Sequence, residues 1–313
     1  MTRYLASRFA GMGIVMLIVA ALVFFITRLA PGDPAAVMLG EQATAADIAQ
    51  LRASYGLDKP LPLQFVYWLG ELSRGNLGQS IFLQRPVTQA LLERAEPTLF
   101  LTLFSIGLAA LIGIPCGVAA AVWRGKAIDQ AFSGFAMLGA SIPSFWFGLI
   151  LMQIFAVSLG WFPVAGYGDP GVPLSDRLHH LILPSIVLGV VNSALILRFT
   201  RASMLDVLGE DHIRTARAKG VSEARVVLHH ALRNALIPVI TVLGLTFALL
   251  IGGAIVTETV FGLPGIGNLV VSAVLRRDYP VIQGALLVIA GLYVLINLVI
   301  DLLYLAIDPR VRY

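Results

Sequence analysis

From Phe9 to Thr27 the chain runs without a single charged side chain, and comparable apolar stretches return five more times. A bilayer's hydrocarbon core is crossed by roughly 20 apolar residues in helical form. The runs lie at about 9–29, 98–122, 131–159, 181–200, 234–257 and 281–306. They predict an all-α, polytopic membrane protein with six transmembrane helices. Composition agrees: 58% of residues are hydrophobic, 13% are charged, and the mean hydropathy is +0.86. The first run is too long for the apolar part of a signal peptide, and Arg28 follows where small residues would mark cleavage. It reads as an uncleaved anchor.

The net charge of +4 and a pI near 9.4 would suit a nucleic-acid partner, but the basic residues form no patch. They sit at the ends of apolar runs, which is how orientation in a membrane is written. Arg3 and Arg8, Arg124 and Lys126, seven residues between Arg198 and Arg233, and Arg310 and Arg312 place 13 of the 22 basic residues on one side. Segment 31–97 instead carries five basic residues against seven acidic ones. Both termini and the 198–233 loop are therefore expected in the cytoplasm, the chain crossing the membrane several times. This divides the chain into 1–30, the N-terminal tail and first span; 31–97, an external amphipathic segment; and 98–313, a five-helix core carrying the cytoplasmic loop.

The external segment is too long for a connector. Thr44 is placed to cap a helix with Ile48, Leu51 and Tyr55 on one face, stopped by Gly56. After Lys59-Pro60 a second helix carries Phe65, Trp68, Leu69 and Leu72 and ends near Gly75. Such pieces suit the outer membrane face or the mouth of a pathway, and equally suit packing against neighbouring spans. Farther on, Phe261-Gly262-Leu263-Pro264-Gly265-Ile266-Gly267 has the look of a phosphate loop without its third glycine or a preceding strand. A tight or re-entrant external turn is the better reading.

The chemistry of the spans is sparse. A charge in hydrocarbon is costly unless paired or hydrated, so ionisable residues at mid-depth mark ion pathways. Here the polar exceptions are Gln153, Asn192, Gln283 and Asn297, with Glu258 and Asp301 near span ends. Gln153 and Asn192 are candidates for lining a translocation path or for hydrogen bonds between helices. Glu258 is a candidate for an external gate or docking contact. The pairs His179-His180 and His229-His230 have the wrong spacing for one face of a helix, so no metal is expected. The lone Cys116 lies in an apolar run and supports no disulfide framework. With no nucleophile elbow, no zinc-ligand spacing and no nucleotide loop, an enzyme acting alone is not expected.

What remains is a conduit with neither engine nor ion relay, and one elaborate polar element. Within Arg198–Arg233, Ile213, Ala216 and Gly220 share a helical face, and Gly220 acts as a left-handed stop. Ser222 and Glu223 then open a second helix with Val226, Val227 and Ala231 on its apolar face. Ala216 and Ala218 permit close approach, and Arg214, Arg217 and Lys219 suit carboxylates on a soluble, ATP-consuming partner.

Arg214-Thr215-Ala216-Arg217-Ala218-Lys219-Gly220, followed by Arg233-Asn234-Ala235-Leu236-Ile237-Pro238, resembles the coupling motif of ATP-binding-cassette (ABC) importer permeases. The form is that of the dipeptide, oligopeptide and nickel subfamily. The broad motif begins Glu-Ala-Ala where this chain has Arg214-Thr215-Ala216, and has proline at the position of Arg233. Pro31-Gly32-Asp33-Pro34-Ala35, Tyr55-Gly56-Leu57-Asp58, Gly160-Trp161-Phe162-Pro163, Phe199-Thr200-Arg201-Ala202-Ser203 and Arg277-Asp278-Tyr279-Pro280 also recur in that subfamily, in this order. The long first external segment is similar to that of the first of its two paired permeases.

The resemblance implies a type I ABC importer permease of MetI-like fold. It implies a second homologous permease, two ABC ATPase subunits, an external or periplasmic substrate-binding protein and surrounding membrane lipid, with no nucleic acid. It also implies no cofactor in this chain, ATP and Mg being held by the ATPases. Asp211, Arg214, Thr215, Ala216, Arg217, Ala218, Lys219 and Gly220 are then the ATPase-coupling residues. Small peptides are the implied cargo, with glutathione or a nickel chelate as alternatives. From another class, a self-sufficient secondary carrier or channel would work without ATPases.

Overall fold

The computed structural model describes residues 2–29, 44–54, 58–168 and 171–307. The expected stop at Tyr55-Gly56, the Pro31–Ala35 motif and the basic C-terminal tail lie outside those residues. Among the described residues, five helices are long and apolar enough to cross a membrane, or six if one bent pair counts as a span. The order is α1 (Thr2–Leu29), α2 (Ala45–Ser54), α3 (Leu61–Ser73), α4 (Val87–Val122), α5 (Ala127–Ser141) and α6 (Ser144–Leu151). A π-helical turn at Met152–Ser158 follows, then α7 (Leu174–Leu208), α8 (Asp211–Ala218) and α9 (Glu223–Arg225). A second π-turn at Val226–Ala231 leads into α10 (Leu232–Gly253), α11 (Ile255–Val260), α12 (Ile266–Arg276) and α13 (Tyr279–Ile307).

The third apolar run is not the straight span the sequence suggests. Ile142 adopts an extended conformation (φ −83°, ψ 123°) ahead of Pro143, and the two helices meet at a 99° bend. Proline has no N–H to donate, and its ring disfavours the helical conformation for the residue before it. The second run also starts earlier than 98: α4 begins at Val87 and includes Pro97 and Pro115. At 1.5 Å per residue its 36 residues extend about 54 Å, well beyond a hydrocarbon core.

The chain divides into two compact units. One comprises residues 1–96 with 268–295, and the other 97–267 with 296–312. Segment 268–295 thus groups with the N-terminal part of the chain.

In the first unit, Thr44 caps α2 as its sequence predicts. Its hydroxyl accepts from the Asp47 N–H at 3.2 Å, while its own N–H and hydroxyl donate to the Asp47 carboxylate at 3.1 and 2.5 Å. These bonds hold the Asp47 carboxyl below its usual range. Pro60 is the N-cap of α3, and Gly75 follows the helix at φ +77°. Its Phe65 and Trp68 rings lie 5.3 and 5.4 Å from the buried Phe24 ring of α1. Aromatic pairs at such distances add about 0.5–1.5 kcal/mol each beyond area burial. For these two residues, packing on a neighbouring span is what the structure shows. Gln283 of α13 donates to the Thr27 hydroxyl at 2.6 Å, tying the last span to the first.

In the second unit α7 is the central helix, with 61% of its most apolar window buried. Leu181, Leu183, Val187 and Leu188 meet Leu101, Leu250, Phe261 and Leu263 in the main apolar cluster. Helix α4 reaches α7 through Gly117, where a Cβ would stand 2.6 Å from the Thr200 Cβ and 2.7 Å from the Leu197 carbonyl oxygen. Only glycine permits that approach of two backbones.

Candidate functional site

Helix α7 ends at Leu208, with Gly209 as its C-cap, and the chain turns at once into α8. The Glu210 carbonyl accepts the Ile213 and Arg214 N–H groups at 3.1 and 3.3 Å, which starts the new helix. The Thr215 hydroxyl bonds back to the Asp211 carbonyl at 2.9 Å. At the far end the Gly220 N–H reaches the Arg217 carbonyl at 2.9 Å, and the Val221 N–H reaches the Ala216 carbonyl at 3.2 Å. This pair of bonds closes a helix over a left-handed residue, and Gly220 has φ +76°. The stop read from the sequence is therefore physical.

One face of α8 is anchored. Ile213 is fully buried, and Ala216 packs beside it against Ala121 of α4, Met204 and Val207 of α7, Val226, Val227 and Ala231 of the π-turn, and Ala235 of α10. The other face is exposed: Asp211, His212, Arg214, Thr215, Arg217, Ala218 and Lys219 all face outward. Ala216, read from sequence as a point of close approach, faces the core instead.

Two of the three cations already have partners in this chain. Arg217 grips the Glu223 carboxylate through two bonds of 3.1 and 2.6 Å, and Arg214 lies 3.4 Å from Asp211. The hydrogen bond to Glu223 raises the Arg217 guanidinium above its ordinary value. Exposed pairs of this kind contribute about 0–1 kcal/mol, so they orient the loop rather than stabilise it strongly. On the other flank His212 is 3.0 Å from a Glu210 carboxylate oxygen and 3.3 Å from the Asn234 amide. Ser222 occupies the N-cap position of α9, but its side chain makes no capping bond. From Ser222 the chain passes through the π-turn into α10, so the second predicted helix is the entrance to the fifth span.

Among the described residues no group of three His, Cys, Asp or Glu side chains is placed to hold a metal.

Residues 113–313 match the family described as binding-protein-dependent transport system inner membrane component, and residues 1–102 match that family's N-terminal region. The chain belongs to this family. It is 48% identical over 310 residues to the probable peptide ABC transporter permease protein y4tP of Sinorhizobium fredii, covering 99% of each chain. It is likewise 48% identical over 313 residues to the glutathione transport system permease protein GsiC of Salmonella typhimurium, covering 100% of each. The inward-facing MetNI methionine ABC transporter matches with a TM-score of 0.57 at 21% identity, over 71% of this chain and 97% of that one, which fixes the fold as MetI-like. The protein is thus the non-catalytic, multi-pass inner-membrane permease of an ABC importer that works with ATPase and binding-protein partners.

The permease distributes the three pathway candidates differently. Gln153 is exposed on the π-turn after α6. Asn192 is half-buried and donates to the Leu188 carbonyl of its own helix at 2.7 Å. Glu258 is fully buried, and the Thr98 hydroxyl donates to its carboxylate at 2.7 Å while accepting the Ile266 N–H at 2.9 Å. The glycines of the 261–267 turn fold over that carboxylate, and a Cβ on Gly265 would collide with it. The turn that looks like a phosphate loop thus encloses a carboxyl group supplied by its own chain.

Sequence reasoning missed one ion pair altogether. Asp129 of α5 is buried and takes two bonds from Arg201 of α7, at 2.6 and 2.8 Å, with the Gly125 N–H at 2.9 Å. The signal available was Arg201 just past an apolar run, where a cation held partly out of water calls for a carboxylate partner.

Proposed function

We propose that this permease is the first of two paired permeases in an ATP-driven importer of small peptides, and that α8 is its coupling helix. Exposed Asp211–Gly220 residues are read as the face that meets one of two ATPase subunits in the cytoplasm. The observation that carries this reading is the two-sided character of α8: an outer face open to a partner, and Ile213 wedged among α4, α7, the π-turn and α10. A displacement of α8 by the ATPase is passed to four helical elements at once. The basic residues flanking the spans support a cytoplasmic position for both termini and for this loop. ATP and Mg belong to the ATPases, and the permease holds no cofactor. A peptide cargo is supported by the peptide and glutathione names of the two relatives, with cargo supplied by an external binding protein.

The direct test is Ala218→Trp, an exposed position where a bulky side chain leaves the apolar anchor untouched. The assembled complex should lose binding-protein-stimulated ATP hydrolysis by about tenfold while its melting temperature is unchanged. Full stimulated hydrolysis and uptake in that variant would overturn the coupling assignment. Mass spectrometry of the ligand released from the co-purified binding protein names the cargo, and a nickel chelate in place of a peptide would replace the peptide reading.

A further inference from the structure

Within the first unit, the turn at 80–83 is latched to the start of α13 by a single carboxylate. Asp278 accepts the Ser80 hydroxyl at 2.5 Å, the Phe82 N–H at 3.1 Å and the Ile81 N–H at 3.2 Å, and is itself buried. Its oxygens are thereby occupied. Beside this latch lies a cavity of about 130 Å³. Its floor is apolar and buried, made by Leu269, Ala273 and Val281. Its rim carries Arg94, Arg276 and Phe82. The Arg276 guanidinium stands 3.5 Å over the centre of the Phe82 ring. Among the described residues no carboxylate or carbonyl pairs with it.

A guanidinium lying on a ring face keeps its in-plane N–H fork free, and that fork matches a carboxylate in two parallel bonds. Stacking also fixes the long side chain, so less freedom is lost when the fork is used. The site therefore joins a preset cation to an apolar hollow. At about 130 Å³ the hollow takes an aliphatic side chain, with the carboxylate left at the rim. Asp278 is the one acidic side chain in the lining and already accepts three bonds, so the Arg276 charge leaves the rim attractive to anions.

We propose that this cavity is a carboxylate-binding site that takes one amino-acid-sized group, its carboxylate on Arg276 and its aliphatic part over Leu269, Ala273 and Val281. The inference rests on the outward orientation proposed for segment 31–97. Two sources present this chemistry on that side: the C-terminal residue of a peptide cargo and an acidic side chain of the binding protein.

The test uses the purified importer complex and saturation-transfer NMR with N-acetyl-leucinate as the probe and N-acetyl-leucinamide as its neutral control. The acid should bind about fivefold more tightly than the amide, and Arg276→Gln should abolish that preference, because the charge-assisted bonds are lost. Equal binding of acid and amide to the unaltered complex would overturn the proposal, as would an unchanged preference in a folded Arg276→Gln variant. The acid–amide comparison needs no variant, so a folding defect does not blunt it.

Displacement of the probe by excess binding protein assigns the site to that protein's acidic side chain. Without displacement, a higher KM in Arg276→Gln for uptake of a peptide with a free C-terminus, but not for its amide, assigns it to cargo. Binding-protein-stimulated ATP hydrolysis of the unaltered complex is measured alongside. Its absence would count against the importer orientation, independently of the acid–amide result.

Discussion

Replacing Asp129 with alanine tests what holds α5 to α7. In the native pair the Asp129 side chain is 7% exposed and that of Arg201 is 29% exposed. Truncation strips Arg201 of two charge-assisted bonds and the Gly125 N–H of its acceptor. Breaking a buried ion pair from one side costs about 3–5 kcal/mol, chiefly because the remaining charge is left unpaired. Arg201 keeps some access to water, which lowers the penalty to about 2–3 kcal/mol, and the orphaned amide adds about 1 kcal/mol. A total near 3 kcal/mol corresponds to a fall of roughly 6–12 °C in melting temperature, at about 2–4 °C per kcal/mol for chains of this order of size. Thermal unfolding of the detergent-solubilised permease, followed by size exclusion, measures it. Asp129→Ala combined with Arg201→Leu should recover at least about 1.5 kcal/mol, because a charge with no partner is the main penalty. If the two substitutions add without coupling, the pair is not what fixes the helices and the reasoning fails.

Two further substitutions probe the turns. Gly265→Ala drives a methyl group into the Glu258 carboxylate and should sharply reduce the yield of folded permease, whereas Gly220→Ala has open space around it and meets only the left-handed backbone, at about 1 kcal/mol; comparable yields for both would contradict this contrast. Thr98→Val removes the hydroxyl that joins Glu258 to the Ile266 N–H and should cost about 1–3 kcal/mol. An unchanged melting temperature would show that the link contributes nothing.

Much of the architecture was legible because its causes are local. Five of the six apolar runs are helices long enough to span, the Thr44 cap forms as its spacing demands, and the helix ending at Gly220 closes with the bonds that a left-handed glycine allows. The break at Pro143 was also local, yet it was hidden because hydropathy averages over a proline that backbone sterics do not forgive. The contacts that eluded the reading are distant in sequence. Asp129 meets Arg201 across 72 residues and Ser80 meets Asp278 across 198. Periodicity cannot carry such pairs, since it reports which face of a helix is apolar and not which helix it will meet. Glu258 shows the same limit: its place at the end of an apolar run suggested exposure, and only the fold of the 261–267 turn makes it an interior group.

The π-turn at Val226–Ala231 has a consequence for how the entrance of the fifth span tolerates change. A π-turn spends one residue more than an α-helix on the same stretch of axis. Each helical residue advances the chain by about 100°, so that extra residue sets the angular phase of everything after it. Val226 and Val227 at the start of the turn and Ala235 and Val239 beyond it are all buried, so their common inward direction depends on the extra residue. Removing one residue from this stretch would leave a well-formed helix turned by about 100°, so that much of its buried side no longer faced inward. Here the number of residues is as strict a requirement as their identity.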